Sequence, residues 1–140
     1  MIRKPLPTDI DAINKLGSLL DGKFSDKNDI SNYIINDMYV IYVACDSDEV
    51  IGFIMLTSLY ETMELLYIVV QPTYQHTGYG TKLLEEVIKN KTKATRILLE
   101  VRADNKKAID FYTKNQFQTI NIRKNYYDNN TDAIIMERSI

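Results

Sequence analysis

The spacing of hydrophobic positions changes several times along this chain, and each change marks a new element. Ile10, Ile13, Leu16 and Leu20 recur at intervals of three, three and four, which is one face of an amphipathic helix. Thr8 stands in N-cap position for that helix, and Asp11 three residues on completes a capping box. Asp21-Gly22-Lys23 ends the pattern. A weaker helix is expected over residues 28–36, with Ile30, Tyr33 and Ile34 on its buried side. Ahead of these, residues 2–6 read as a short strand, and Pro5 assigns it to a sheet edge because proline cannot donate to a ladder.

From Met38 the pattern is that of strands. Residues 38–45 form a nearly unbroken run rich in Val, Ile and Tyr, bounded by Asp46-Ser47-Asp48-Glu49, and residues 50–59 come next as its antiparallel partner. A third strand covers 63–70 and stops at Gln71-Pro72. Helical spacing returns over 77–91, where Leu83, Leu84, Val87 and Ile88 share a face. Residues 95–101 are expected as a strand, 105–114 as a helix, and 117–123 and 133–138 as strands. This order predicts an α/β (α+β) fold in which about seven strands make a mixed, mostly antiparallel twisted sheet with helices on both faces. Residues 1–140 read as a single domain, without repeats or a linker.

Composition narrows the class of function. The formal net charge is −2 and the sequence pI is about 5.4, so no global basic field recruits nucleic acid. Lys89, Lys91 and Lys93 cluster, as expected of a solvated helix end. One cysteine, Cys45, and one histidine, His76, leave neither a disulfide nor a Cys- or His-rich metal centre to be built, so no metal is expected. The N-terminus is not followed by an apolar run of signal-peptide length and no stretch approaches the roughly 18 apolar residues of a membrane span, which leaves the cytoplasm as the expected location and no membrane partner.

Between a strong strand and a strong helix lies Gln75-His76-Thr77-Gly78-Tyr79-Gly80. In open sheets of this kind ligands sit beyond the carboxyl ends of strands, which directs attention to Val70 and the residues just after it. Closely spaced glycines let the backbone take positive φ and approach a ligand, and at a helix N-terminus the N–H groups and the dipole favour an anion. The Lys-Ser/Thr of a nucleotide-triphosphate loop is missing, as is a full Gly-x-Gly-x-x-Gly fingerprint. A pyrophosphate that needs no metal fits better.

The stretch 65–84, with its apolar strand, Pro72, the 75–80 turn and a Leu-rich helix, resembles the acetyl-coenzyme A motif of the GNAT acetyltransferases. Leu99-Glu100-Val101-Arg102-Ala103-Asp104-Asn105, Ala108-Ile109, Phe111-Tyr112, Arg123-Lys124-Asn125-Tyr126-Tyr127 and Asp132-Ala133-Ile134-Ile135-Met136 occur in that order and resemble its ribosomal-protein-alanine N-acetyltransferase (RimI) branch. The resemblance implies a GNAT fold and transfer of an acetyl group from acetyl-CoA, as co-substrate, to a primary amine. The implied acceptor is a protein's N-terminal alanine, in a ribosomal protein. It implies Glu100 as general base and Tyr112 as general acid. It further implies main-chain contacts from Ile68, Val69 and Val70 to the pantetheine arm, a pyrophosphate held by His76, Thr77, Gly78, Tyr79, Gly80 and Thr81, and a cofactor contact from Asn105. The sequence departs from the family at Asn115-Gln116-Phe117, where a Gly-Phe normally ends the helix and Asn115 is expected to supply the cap. Residues 22–36 also lack the aromatic-Pro-Trp pattern of this branch.

The residues add their own argument. Glu100 interrupts an apolar strand on the face of Leu98 and Arg102, where burial would raise its pKa toward the range useful for proton transfer. Tyr112 shares a helix face with Ala108 and Ile109, and a phenol can protonate a departing thiolate. Cys45, inside an apolar strand, reads as an inert thiol, so direct transfer is expected rather than an acylated enzyme. Two other readings stay open: acetylation of a small amine such as a polyamine or amino sugar, and a non-catalytic acetyl-CoA-binding module. Oligomeric state is expected to be a monomer or weak dimer.

Overall fold

The computed structural model describes residues 1–140. The elements run β1 (Ile2–Arg3), α1 (Ile10–Gly17), α2 (Phe24–Lys27), α3 (Ile30–Tyr33), β2 (Tyr39–Asp46), β3 (Glu49–Leu59), β4 (Thr62–Val70), α4 (Tyr79–Lys89), β5 (Arg96–Arg102), α5 (Lys106–Lys114), β6 (Gln118–Tyr127) and β7 (Thr131–Ser139). Single 3-10 turns occupy Pro7–Asp9, Pro72–Tyr74 and Asp128–Asn130. The strands make one seven-stranded sheet in the order β1-β2-β3-β4-β5-β7-β6. The β1–β2, β2–β3, β5–β7 and β6–β7 pairings are antiparallel and β4–β5 is parallel, so the mixed, mostly antiparallel sheet read from the sequence is borne out. Contacts group the chain into two compact units, residues 1–58 with 66–92, and residues 59–65 with 93–140.

In the first unit the two faces of β2 and β3 are both covered. Ile41, Val43 and Cys45 of β2 and Phe53 and Met55 of β3 pack with Ile13 and Leu16 of α1, Phe24 of α2 and Ile30 of α3. The alternate residues Tyr42, Ala44, Ile54 and Leu56 are buried too, and α4 packs on β2 with Leu83, Leu84 and Val87 inward. Cover on both sides is why these strands read as continuous apolar runs rather than alternating ones. Phe24 sits at the centre, edge-on to Tyr67 at 4.8 Å and tilted against Phe53 at 5.7 Å. In the second unit β5 alternates cleanly, with Ile97, Leu99 and Val101 buried.

Several local expectations are corrected. α1 ends at Gly17 and Leu20 is 61% exposed, because 3-10 bonds from Leu19 N–H to Leu16 O and from Leu20 N–H to Gly17 O turn the chain away from the helix axis. Thr8 is exposed and makes no cap. The 3-10 turn that begins at Pro7 moves the start of α1 by one residue, and Asp9 becomes its N-cap. The expected helix over 28–36 shrinks to the single turn Ile30–Tyr33, and a separate turn at Phe24–Lys27 precedes it; Asn28 between them is extended, and its Nδ2 donates to Phe24 O at 3.0 Å. β6 runs on to Tyr127, four residues past the expected end at Arg123. It is the outermost strand of the sheet and nearly all of it is exposed, so no inward-facing alternation marks its length.

Asp9 anchors the start of the chain. Its carboxylate accepts from Arg3 Nη1 at 2.7 Å, from Arg3 Nη2 at 3.1 Å and from the Leu6 N–H at 2.7 Å, while the residue is only 6% exposed. The Arg3 guanidinium holds the Asp9 carboxyl below the usual carboxylate range, against the opposing effect of burial. A folded pKa below the unfolded one means that this stabilisation is complete above about pH 4 and is lost as pH falls through the folded value. Asp9→Ala is expected to lower the unfolding free energy by about 2 kcal/mol at pH 7. Urea denaturation should show that deficit at neutral pH and a closing gap to the unsubstituted protein below pH 4.

Candidate active site

The C-terminal half of β4 presents a free backbone edge. The ladder that joins β4 to β5 covers Thr62, Met63 and Glu64 alone, so the amides of Ile68, Val69 and Val70 lie outside it. Val69 turns its side chain into the core beside Phe53, while Ile68 and Val70 are half-buried. On the other side the strand is held tightly to β3. A Cβ on Gly52 would stand 2.8 Å from the Val69 carbonyl oxygen, so only glycine permits this approach. The Gln71 N–H donates to Ile51 O at 2.7 Å, and Gln75 Nε2 donates back to Val70 O at 3.2 Å.

Beyond β4 the chain makes the 3-10 turn at Pro72–Tyr74 and then two left-handed residues, His76 at φ 64° and Gly78 at φ 89°. The helix expected from Thr77 begins at Tyr79, because the left-handed Gly78 occupies its N-cap. Gly78 offers no side-chain acceptor, and a Cβ placed on it would meet nothing within 4 Å. The first-turn N–H groups of an eleven-residue helix are therefore uncapped beneath open space. His76, Thr77, Gly78 and Thr81 are exposed; Tyr79 and Gly80 are half-buried. Lys82 Nζ lies 5.2 Å from the centre of the Tyr79 ring. This is a set of donors and positive potential without any side chain that would demand a metal, and it fits a diphosphate. No group of three or more His, Cys, Asp or Glu is placed to hold a metal ion.

Glu100, Asn105 and Tyr112 belong to the other unit. Glu100 lies on β5 opposite Ile135 of β7 and is exposed, which corrects the burial expected of it. Alternation along β5 is as read, but the face that Glu100 shares with Arg96 is the open one. Asn105 is the N-cap of α5: its Oδ1 accepts from the Ala108 N–H at 3.2 Å. That bond gives Asn105 a structural task which its place in the sequence did not announce.

Tyr112 is set by the way α5 ends. The Phe117 N–H donates to Tyr112 O at 3.0 Å and the Gln116 N–H to Thr113 O at 3.1 Å, the two bonds of a Schellman motif. Gln116, at φ 70°, takes the left-handed position usual for glycine, and Asn115, the expected cap, instead turns inward and donates from Nδ2 to Phe111 O at 2.9 Å. The hydrophobic contact that accompanies such a motif is Tyr112 on Phe117, with ring centres 5.6 Å apart. Ala108, Ile109 and Tyr112 share the half-buried face, as read from their spacing. Burial pushes the Tyr112 phenol up to about 12, so it holds its proton throughout the neutral range.

Sequence reasoning gave no role to two further groups. Tyr127 carries Arg102 over its ring at 4.9 Å, and its phenol is raised by burial first and then by the Glu100 carboxylate. Tyr126 packs edge-on to Tyr127 at 5.2 Å beneath Arg123. The only signal for this group was its place in the family resemblance. The second is Tyr74, whose hydroxyl donates to Asp46 at 2.6 Å across 28 residues of sequence, a pairing that no local pattern announces. Two cavities, of about 390 Å³ beside α1–α3 and about 580 Å³ beside the start of β6, contain none of the expected site residues. Cys45 is buried, as expected of an inert thiol. No helix is long and apolar enough to cross a membrane.

The model of the acetyltransferase (GNAT) family matches residues 13–117. The [ribosomal protein bS18]-alanine N-acetyltransferase of Escherichia coli (strain K12) is 34% identical over 118 residues, covering 81% of this chain and 78% of that protein. An N-alpha-acetyltransferase of Saccharolobus solfataricus is 33% identical over 114 residues, covering 71% of this chain and 68% of its own. The crystal structure of the ribosomal-protein-S18-alanine N-acetyltransferase from Escherichia coli superimposes with a TM-score of 0.82 at 28% identity, over 100% of this chain and 93% of that one. The chain belongs to the acetyltransferase (GNAT) family and is an N-acetyltransferase with acetyl-CoA as its acyl donor.

Proposed function

We propose that this protein acetylates the N-terminal α-amine of another protein, with an N-terminal alanine of a ribosomal protein as the acceptor, and that it does so in the cytoplasm, where acetyl-CoA and newly made proteins meet. The observation that carries the reading is similarity to α-amine acetyltransferases over most of the chain, in relatives from two distant organisms. Residues 1–140 act as one acetyltransferase domain in this reading, since the family match at 13–117 runs through both compact units.

The chemistry supports an α-amine over a lysine side chain. An α-amino group with pKa about 7.7–8.0 is substantially neutral near pH 7.5, whereas a lysine near 10.4 needs about 4 kcal/mol to lose its proton there. An α-amine gives up its proton readily and asks only for a modest base, and the exposed Glu100 carboxylate is open to it. The neutral nitrogen attacks the thioester carbonyl, its excess proton passes to Glu100, the carbon–sulfur bond breaks, and the Tyr112 hydroxyl donates to the departing sulfur. Main-chain N–H groups near Val70 polarise the carbonyl, and Ile68, Val69 and Val70 hold the pantetheine arm along the free edge of β4. His76, Thr77, Gly78, Tyr79, Gly80 and Thr81 hold the diphosphate, and Asn105 contacts the donor through the part of its amide that does not cap α5. A thiol has a pKa of about 8.5, so a phenol at about 12 does not surrender its proton before the sulfur carries charge. Tyr112 thus acts as a hydrogen-bond donor to a forming thiolate, an interaction made in the transition state.

Two outcomes are expected. In a panel comprising an Ala-initiated peptide, a peptide whose sole amine is lysine, and spermidine, kcat/KM should be highest for the Ala-initiated peptide. Its pH profile should rise to a plateau above about pH 8, tracking deprotonation of the α-amine. A preference for spermidine would replace the protein acceptor with a polyamine and leave the transferase class intact. For the acid, Tyr112→Phe should lower kcat on the order of 100-fold while acetyl-CoA affinity, measured by calorimetry, stays within about twofold. Unchanged turnover would remove Tyr112 from the mechanism.

A further inference from the structure

We infer that Tyr74 and Asp46 form a clamp that holds the 75–80 turn in its diphosphate-binding geometry, which makes Tyr74 a positioning residue for the acyl donor. The inference rests on the reading of that turn as the diphosphate site. Tyr74, just before the turn, touches its middle and its far part. Its N–H donates to Gln71 O at 2.8 Å, its carbonyl accepts from Thr77 Oγ1, and its ring stands edge-on to Tyr79, the first residue of α4, at 6.0 Å. Its hydroxyl reaches out of the turn to Asp46, the last residue of β2, at 2.6 Å. Asp46 is itself fixed by its pairing with Glu49 across the β2–β3 hairpin. The turn is thereby tied to the frame of the sheet through the residue just before it, while Gln75 ties its start to Val70.

The turn needs such support. His76 is not a glycine and sits in the left-handed region, where a side chain costs roughly 1–2 kcal/mol. Residues kept in such conformations persist where their surroundings over-determine them. Phenylalanine at position 74 would fill the same volume and face the same Tyr79 ring, so the hydroxyl is the part of Tyr74 that packing does not require. Its contribution is a charge-assisted bond to Asp46, short for an O–H donor. That bond also directs an acidic group into a hydrogen bond beside an anion site: Asp46 and Glu49 are the carboxylates that face the Tyr74 phenol, and Lys82 Nζ stands over the Tyr79 ring at 5.2 Å. An unclamped turn would lose convergence of its N–H groups, and small misplacements of binding groups are costly.

The clamp predicts a split between donor binding and turnover. Tyr74→Phe should raise KM and Kd for acetyl-CoA about fivefold with kcat within about twofold, which corresponds to roughly one ordinary hydrogen bond, as suits a bond open to water. Asp46→Ala should do the same, the double variant should do no more than either, and Asp46→Asn, which keeps an acceptor oxygen, should restore most of the affinity. S-acetyl-pantetheine lacks the diphosphate, so its kcat/KM should not change in any of these variants. Thermal melts report folding independently. Donor affinity unchanged in Tyr74→Phe, additive losses in the double variant, or an equal loss with S-acetyl-pantetheine would each overturn the clamp. If the unsubstituted protein took up no acetyl-CoA, the diphosphate reading would fall and the clamp with it; uptake by the unsubstituted protein with insensitive variants would sink the clamp alone.

Discussion

A main-chain surface can bind an anion only if its N–H groups are kept out of both the sheet ladder and the helix ladder. Backbone donors left without partners are normally costly, and proteins leave few of them. This chain arranges for it over one short stretch. The ladder between β4 and β5 ends at Glu64, and the first turn of α4 lacks a side-chain cap at Gly78. Both exceptions depend on close, specific packing nearby. Gly52 brings β3 against the Val69 carbonyl, so the strand stays in place after one of its ladders has ended. The left-handed Gly78 lets α4 begin with its amides open to solvent.

The proposed acid and base are set by ordinary devices of helix termination and strand alternation. The Schellman motif that ends α5 satisfies the carbonyls of Tyr112 and Thr113 and, through Phe117, also packs the Tyr112 ring. One motif therefore stops the helix and sets the phenol. Burial keeps that phenol protonated, which suits a donor to a thiolate and not a base. Glu100 has the opposite setting, in water on the open face of β5. In the proposed mechanism the half-buried phenol and the exposed carboxylate would divide the two proton-handling tasks by environment.

Much of this was legible in the amino-acid order. The continuous apolar runs of β2 and β3, the Leu83–Leu84–Val87 face of α4 and the shared face of Ala108, Ile109 and Tyr112 all appear where their spacing put them. These signals are local, and hydrophobic period is a local property. Element ends were less legible. Leu20 continued the period of α1 yet lies in water, and Thr8 looked like a cap although Asp9 holds the N-cap position and spends its carboxylate on Arg3 and Leu6, because 3-10 turns at both ends of the helix shift it by a residue or more. Gln116, with nothing in its side chain to favour positive φ, takes the place where Asn115 or a glycine was expected.

The sequence by itself determined which segments are strands and helices, that a glycine-bearing turn joins a strand to a helix at Val70, and which residues match a family's acid and base. Local spacing and local chemistry suffice for each of these. Only the tertiary structure decided that Glu100 faces water, that Arg3 and Asp9 close on each other, and that Tyr74 reaches Asp46 across 28 residues. The reason is physical: a strand's alternation distinguishes its two faces but not which one the rest of the chain will cover. A long-range hydrogen bond, likewise, leaves no periodic trace in the segments it joins.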